Sequence, residues 1–231
     1  MTAVLITGAN RGLGFEFARQ YAAAGWHVFA ACRDPAAASG LRQLGQEAGE
    51  RLTIVSMDVT STQSVQRAAG QLKDMAIDLL VNNAGVAGPR GQTAGNVDFE
   101  AWAHVLDVNT MGPVRVLQAF IEHLARSERR LAVTITSGMS SIADNKTGGS
   151  IPYRSSKAGV NMAMRSAAID LAPRGIICAV LSPGWVRTDM GGPDAALPAA
   201  DSVMAMRRVI EKLGPGDSGK FYNYDGREFP W

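Results

Sequence analysis

Cysteine is almost missing: Cys32 and Cys178 are the only two in 231 residues. Each lies in an apolar run, where a free thiol packs as a small hydrophobe in a reducing compartment. Two cysteines are too few for a structural zinc site. Histidine is almost as scarce, and His27, His104 and His123 stand far from the glycine-rich segments. Neither a metal site nor a serine–histidine triad is expected from them. An excess of one charge is lacking as well: 23 Lys and Arg face 21 Asp and Glu, leaving +2, with no block of like charges. The densest basic spot, Arg126 with Arg129 and Arg130, lies beside Glu128 at an expected helix end, where cations offset the macrodipole. This balance gives no reason to expect nucleic acid or an anionic membrane as a partner. No apolar run reaches the ~20 residues of a membrane span. The start, Met1 to Ile6 cut short by Thr7-Gly8, lacks the charged opening and long apolar stretch of a secretory signal. The expectation is a soluble, cytoplasmic chain.

Hydrophobic residues make up 46% of the chain and charged ones 19%, which suits one α/β domain with a sizeable core. Short β-rich runs are read at Ala3–Ile6, His27–Cys32, Leu52–Met57, Leu79–Val81, Leu131–Thr136, Ile176–Leu181 and Lys220–Tyr224. Helical spacing is read at Gly14–Ala24, Ala36–Ala48, Thr62–Leu72, Phe99–Leu124 and Tyr153–Leu171. Strands that are apolar throughout, alternating with helices, predict a parallel sheet covered on both faces. No linker, repeat or low-complexity tract interrupts the pattern.

The first strand runs into Thr7-Gly8-Ala9-Asn10-Arg11-Gly12-Leu13-Gly14, and a helix follows. Glycines there let the backbone turn tightly and approach a pyrophosphate, with the helix N-terminus offering free N–H donors. A glycine turn alone is weak evidence, but its place after the first strand strengthens it. Gly214 to Lys220 imitates a P-loop, yet Phe221 stands where Ser or Thr should ligate magnesium, and a strand is expected next rather than a helix. Further along, Tyr153 and Lys157 lie four residues apart on one helix face. An ammonium near a phenol favours the phenolate and moves its pKa from near 10 toward neutrality. On its own such a pair is more often a solvated helix face.

Together, Thr7–Gly14 and Tyr153–Lys157 resemble the short-chain dehydrogenase/reductase family in its compact, single-domain form. Asp58-Val59, Asn82-Asn83-Ala84-Gly85, Asn109 and Pro183-Gly184 match further family motifs in the right order, over essentially the whole chain. Tyr153-Arg154-Ser155-Ser156-Lys157 with Asn161, the run Ser182–Met190 and the ending Asp225–Trp231 are similar to the C-factor/sniffer-like carbonyl-reductase branch. The resemblance implies a Rossmann-type doubly wound sheet of about seven strands in the order 3-2-1-4-5-6-7. It implies one domain over residues 1–231, with a short substrate loop at about 185–200. By the same resemblance the catalytic set is Asn109, Ser137, Tyr153 and Lys157. Ser140 stands thirteen residues before Tyr153, a spacing common in the family, but Ser137 follows the strand directly and suits the longer loop of the resembling branch.

In the implied mechanism Tyr153 gives a proton to a carbonyl oxygen and Ser137 holds that oxygen. Lys157 lowers the phenol pKa and binds a ribose, and Asn109 anchors a water relay. Cofactor contacts are expected from Gly8, Asn10, Arg11, Gly12, Leu13, Arg33, Asp58, Val59, Asn83, Ala84, Gly85, Tyr153, Lys157, Pro183, Gly184, Val186 and Thr188. Cys32 takes the place of the acid that bonds a ribose 2′-OH, and Arg33 follows, with Arg11 in reach of the same group. NADP(H) is therefore expected, whereas a two-residue register shift would give Asp34 the ribose and favour NAD(H). Met139, Trp185 and Met190 are candidates to line the substrate pocket. The leading reading is an NADP(H)-dependent reductase of small aldehydes or ketones. Alternatives are an NAD-dependent alcohol dehydrogenase and a C-factor-like dinucleotide-binding signalling protein. The family often pairs its long helices, here Phe99–Leu124 and Tyr153–Leu171, so a homodimer or homotetramer is expected.

Overall fold

The computed structural model describes residues 2–231. Among the described residues nine strands and seven helices follow one another, mostly in alternation. The strands are β1 (Ala3–Thr7), β2 (His27–Cys32), β3 (Leu52–Ser56), β4 (Leu79–Asn82), β5 (Leu131–Ile135), β6 (Ile177–Ser182), β7 (Val186–Arg187), β8 (Leu197–Pro198) and β9 (Phe221–Asn223). The helices are α1 (Gly12–Ala23), α2 (Ser39–Ala48), α3 (Thr62–Gln71), α4 (Phe99–Leu106), α5 (Gly112–Ala125), α6 (Ile151–Asp170) and α7 (Ala199–Lys212).

Seven strands form one sheet in the order β3-β2-β1-β4-β5-β6-β9, while β7 and β8 pair separately. All the strand pairings are parallel. The expected order is thus found, with β9 as the seventh strand of the sheet. β1, β5 and β6 are buried along their whole length, as strands sandwiched between two helical layers must be. Alternate residues feed two cores. Leu5, Phe29 and Val180 pack with Val65 of α3, Phe120 of α5 and Met164 of α6. Val4, Ile6 and Val28 face the other way, onto Phe17 of α1, Leu41 of α2 and Met206 of α7.

The strand order reverses between β1 and β4, and in such sheets the crevice at the carboxyl ends of the strands flanking that reversal receives the ligand. Gly8 and Gly12 turn the chain there with φ of +65° and +55°, values that glycine adopts without strain. A Cβ on Gly14 would come within 2.2 Å of the Gly8 carbonyl oxygen, so α1 can begin this close to β1 only with hydrogen at that position.

The paired β7 and β8 lie where only a loop was expected, and three further segments differ from the sequence reading. Helix α7 was not anticipated. The continuous helix expected over Phe99–Leu124 is divided by a π-helical turn, Asp107–Met111, that contains Asn109. Helix α2 starts three residues late, because the Asp34 carboxylate accepts the N–H groups of Ala36 and Ala37 and folds them into a separate turn. The Gly214–Lys220 segment is a short 3₁₀ turn, Pro215–Asp217, leading into β9, as expected of a P-loop imitation. Among the described residues no helix is long and apolar enough to cross a membrane.

Candidate active site

The carboxyl end of β1 is tied to that of β4. Thr7 Oγ1 accepts the N–H groups of Asn83 and Ala84, each at 3.0 Å, and Asn83 Nδ2 donates to the Thr7 carbonyl at 2.9 Å. A Cβ on Gly8 would stand 2.9 Å from Ala84 Cα, so the glycine turn and the loop after β4 form one surface. Thr188 reaches it from the loop after β6, its methyl 3.6 Å from where a Gly12 Cβ would lie. Asn10, Arg11 and Gly12 are exposed on this ledge, Leu13 is half-buried, and Pro183 and Val186 are buried behind it. Gly184 takes φ +78° against the Tyr224 ring. Arg11 pairs with Asp189 at 3.1 Å, both side chains well exposed, so this contact holds it only weakly.

Beyond β2, Cys32 is buried and Arg33 is exposed. One Asp34 oxygen is occupied by the two backbone N–H groups that fold the following turn. Burial raises the Asp58 pKa, but the Thr60 hydroxyl and N–H outweigh it. With a smaller pull from Arg33, they hold the carboxyl below its ordinary value. Val59 is buried next to it. Among the described residues no group of three metal-ligating side chains is gathered.

The remaining groups meet at the end of β5. Ser137 leaves that strand and caps a 3₁₀ turn, accepting the Met139 N–H at 3.1 Å. Ser140 points away from the crevice, because its hydroxyl donates to the Ser137 carbonyl at 2.6 Å and accepts from Asn161 Nδ2 at 2.8 Å. Tyr153 is half-buried in the first turn of α6. Burial raises its pKa, and the influence of the Ser137 side chain draws it part of the way back. One helical turn on, Lys157 is buried and donates to the Ile135 carbonyl at 2.9 Å. Its Nζ lies 6.0 Å from the centre of the Tyr153 ring, and burial lowers its pKa to about 8. The expected lowering of the phenol pKa by Lys157 is therefore not the outcome here: burial is the larger influence and its direction is upward.

Asn109 is fully buried in the π turn, and its side-chain amide clamps Val86 from both sides. Nδ2 donates to the Val86 carbonyl at 2.8 Å, and Oδ1 accepts the Val86 N–H at 2.9 Å. Nδ2 also reaches Ser156 Oγ on α6 at 3.0 Å. A π turn of this kind often marks a functional position in a helix. A Cβ on Gly85 would lie 3.3 Å from Asn109 Oδ1 and 3.5 Å from Lys157 Nζ, so glycine keeps the space over the ammonium bare. An ammonium has further N–H donors beyond the one given to Ile135, as ribose hydroxyls would require.

Sequence reasoning missed the groups that hold this loop. Phe229 packs under Gly138, 3.2 Å from the position of a Cβ there. The Trp231 carbonyl accepts the Ala143 N–H and the Ser141 hydroxyl. The ending Asp225–Trp231 serves in the sequence reading only as a family signature, although its two aromatics, Phe229 and Trp231, signal a packing role. Of the substrate candidates, Trp185 and Met190 are exposed and Met139 is half-buried, and Trp185 Nε1 donates to the Gly191 carbonyl at 2.9 Å.

Fold and site define an oxidoreductase built on a Rossmann-type sheet. The chain belongs to the short chain dehydrogenase family, whose model matches residues 2–196. It is 48% identical to the C-signal of Myxococcus xanthus over 155 residues, covering 67% of this chain and 93% of that protein. It superposes on the NADPH-bound carbonyl reductase from chicken fatty liver with a TM-score of 0.93 and 35% identity, covering 100% of this chain and 99% of that one. The carbonyl reductase Sniffer of D. melanogaster gives a TM-score of 0.92 at 31% identity, over 100% of both chains.

Proposed function

We propose that this chain is an NADP(H)-dependent reductase of small aldehydes or ketones, with Tyr153 as proton donor. The observation that carries the reading is the meeting of Ser137, Tyr153 and Lys157 beside the glycine turn. The raised pKa of the phenol keeps it protonated at neutral pH, which is the form a proton donor needs and an oxidising base does not. The dinucleotide, when bound, supplies hydride chemistry that no side chain offers. Gly8, Asn10, Arg11, Gly12 and Leu13 would cradle its phosphates. Asp58, Val59, Asn83, Ala84, Gly85, Pro183, Gly184, Val186 and Thr188 would line its course, and Lys157 would hold the nicotinamide ribose. Ser137 orients the substrate oxygen, Tyr153 protonates it, and Asn109 fixes Val86 and the α6 contact from behind. Met139, Trp185 and Met190 border the substrate opening, consistent with one domain carrying a short substrate loop. Met111 in the π turn, Val114 on α5 and Met162 and Ile169 on α6 are exposed apolar groups, which supports pairing of copies through these helices.

Two carbonyl reductases in the comparison support the reaction, and one of them was solved with NADPH. Arg33 is the group assigned to the 2′-phosphate. Arg33→Ala is expected to weaken NADPH about ten- to a hundred-fold, the loss of a charge-assisted contact, and NADH far less. Titration calorimetry with both cofactors checks this, and equal losses would contradict the assignment. The likeness to C-signal favours a second reading, a dinucleotide-binding signalling protein. A panel of aldehydes and ketones tested with NADPH and with NADH separates the two. Reduction of none, despite NADPH binding, would favour the second.

A further inference from the structure

The amino ends of the strands, opposite the crevice, carry a second concavity. It has a volume of about 260 Å³ and is lined by Tyr21, Trp26, Arg129, Met204, Arg207, Arg208 and Glu211. Tyr21 lies late in α1, Trp26 just before β2, Arg129 just before β5, and the other four on α7 from its middle to its end. The Arg207 guanidinium lies 4.5 Å from the centre of the Tyr21 ring, and that of Arg129 lies 5.8 Å from the Trp26 ring. The two rings are themselves in contact, 4.8 Å apart. Stacking occupies the face of a guanidinium and leaves its terminal Nη groups to meet a ligand, while holding the cation in place before any ligand arrives.

Little on the protein answers this charge. Among the described residues, no carboxylate lies within 4.0 Å of Arg129, Arg207 or Arg208, whereas Arg19, Arg115 and Arg174 are paired. Arg207 Nε is buried without a hydrogen-bond partner, and its Nη1 reaches only Gln20 at 3.3 Å. Arg208 meets nothing stronger than the Met204 sulfur at 3.7 Å. Arg129 does have a partner, the Ile210 carbonyl at the end of α7. Tyr21 cannot supply negative charge, since burial pushes its phenol up to about 12. Glu211 is the single acid in the lining.

We propose that this concavity is a binding site for a small phosphomonoester, its phosphoryl group held by Arg207 and Arg208 with Arg129 alongside. A dianion matches the two uncompensated cations, and forked guanidinium edges suit phosphate oxygens. The volume exceeds what a phosphoryl group fills, so the ester portion lies against Trp26 and Met204. The inference stands apart from the proposed reductase activity.

Phenyl phosphate and inorganic phosphate are the probes, titrated by calorimetry at constant ionic strength. Saturable binding is expected for phenyl phosphate, weakened about ten-fold or more in Arg207→Gln. Arg208→Gln, which loses only the thioether contact and will fold, should weaken it several-fold. Arg33→Ala should leave it unchanged, which separates this site from the dinucleotide's. Tighter binding of phenyl phosphate than of phosphate supports an ester, and equal binding overturns the ester in favour of free phosphate. No saturable binding, or binding that survives both Arg207→Gln and Arg208→Gln, overturns the proposal.

Discussion

Tyr153→Phe is expected to lower kcat by about 10²–10⁴-fold, the usual worth of a general acid, and to leave NADPH affinity nearly unchanged. The substitution keeps the ring, and so the packing of the first turn of α6, and removes only the hydroxyl, on which the Ser137 side chain acts. Ser137→Ala should show the same pattern if, as proposed, Ser137 holds the substrate oxygen. Ser140→Ala should differ. Its hydroxyl already serves the Ser137 carbonyl and Asn161 Nδ2, so its loss leaves a buried donor unpaired. That costs about 1–3 kcal/mol of stability and appears as a lower Tm with turnover retained. Comparing kcat with KM separates a contact made in the transition state from one made on binding. Should Ser140→Ala abolish turnover while Ser137→Ala does not, the two serines exchange roles.

The seven strands of the main sheet were legible in the sequence because burial on both faces leaves most of them apolar, and their limits fall within a residue or two of the reading; β3, with Thr53 and Ser56 exposed, is an edge strand, and the two-residue β7 and β8 were not read. The glycine turn was legible for a different reason: few residue types can fold there, as the overlap at Gly14 makes plain. Helix α7 escaped notice although Val203, Met206 and Ile210 are buried at helical spacing. It follows a Gly/Pro-rich stretch and is half polar, and the stretch masked its start at Ala199. The break at Asp107–Met111 was partly visible in Gly112-Pro113, since proline opens a helix more readily than it continues one. What no local pattern could give was the partner of each polar group. That Asn109 clamps Val86, that Lys157 finds the Ile135 carbonyl, and that Phe229 supports Gly138 depend on segments distant in the chain. The direction of the Tyr153 pKa belongs to the same class, because it turns on how deeply the phenol is buried rather than on the spacing to Lys157.

Lys157→Met is expected to abolish turnover and yet to make the dinucleotide-free protein more stable at neutral pH. Burial lowers the Lys157 pKa from its ordinary 10.5 to about 8. Below pH 8 the folded and unfolded chains both carry the ammonium, and the folded one bears the full cost of burying it. Between about 8 and 10.5 the folded chain has released the proton while the unfolded chain still holds it, so stability rises with pH across that window. The shift corresponds to a burden of about 3 kcal/mol at pH 7. Methionine removes that burden but leaves the Ile135 carbonyl without its donor, a loss of about 1–2 kcal/mol. The net gain is about 1–2 kcal/mol, which for a chain of this size raises Tm by several degrees. Thermal melts at pH 7 and pH 9.5 test the reasoning: the gap between variant and wild type should be clear at pH 7 and narrow or reverse at pH 9.5. A variant less stable at both pH values would make Lys157 a structural tie rather than a strained functional group. The same titration sets the activity profile. On the proposed mechanism reduction needs the Lys157 ammonium and a protonated Tyr153, so kcat/KM should decline above about pH 8 as Lys157 loses its charge.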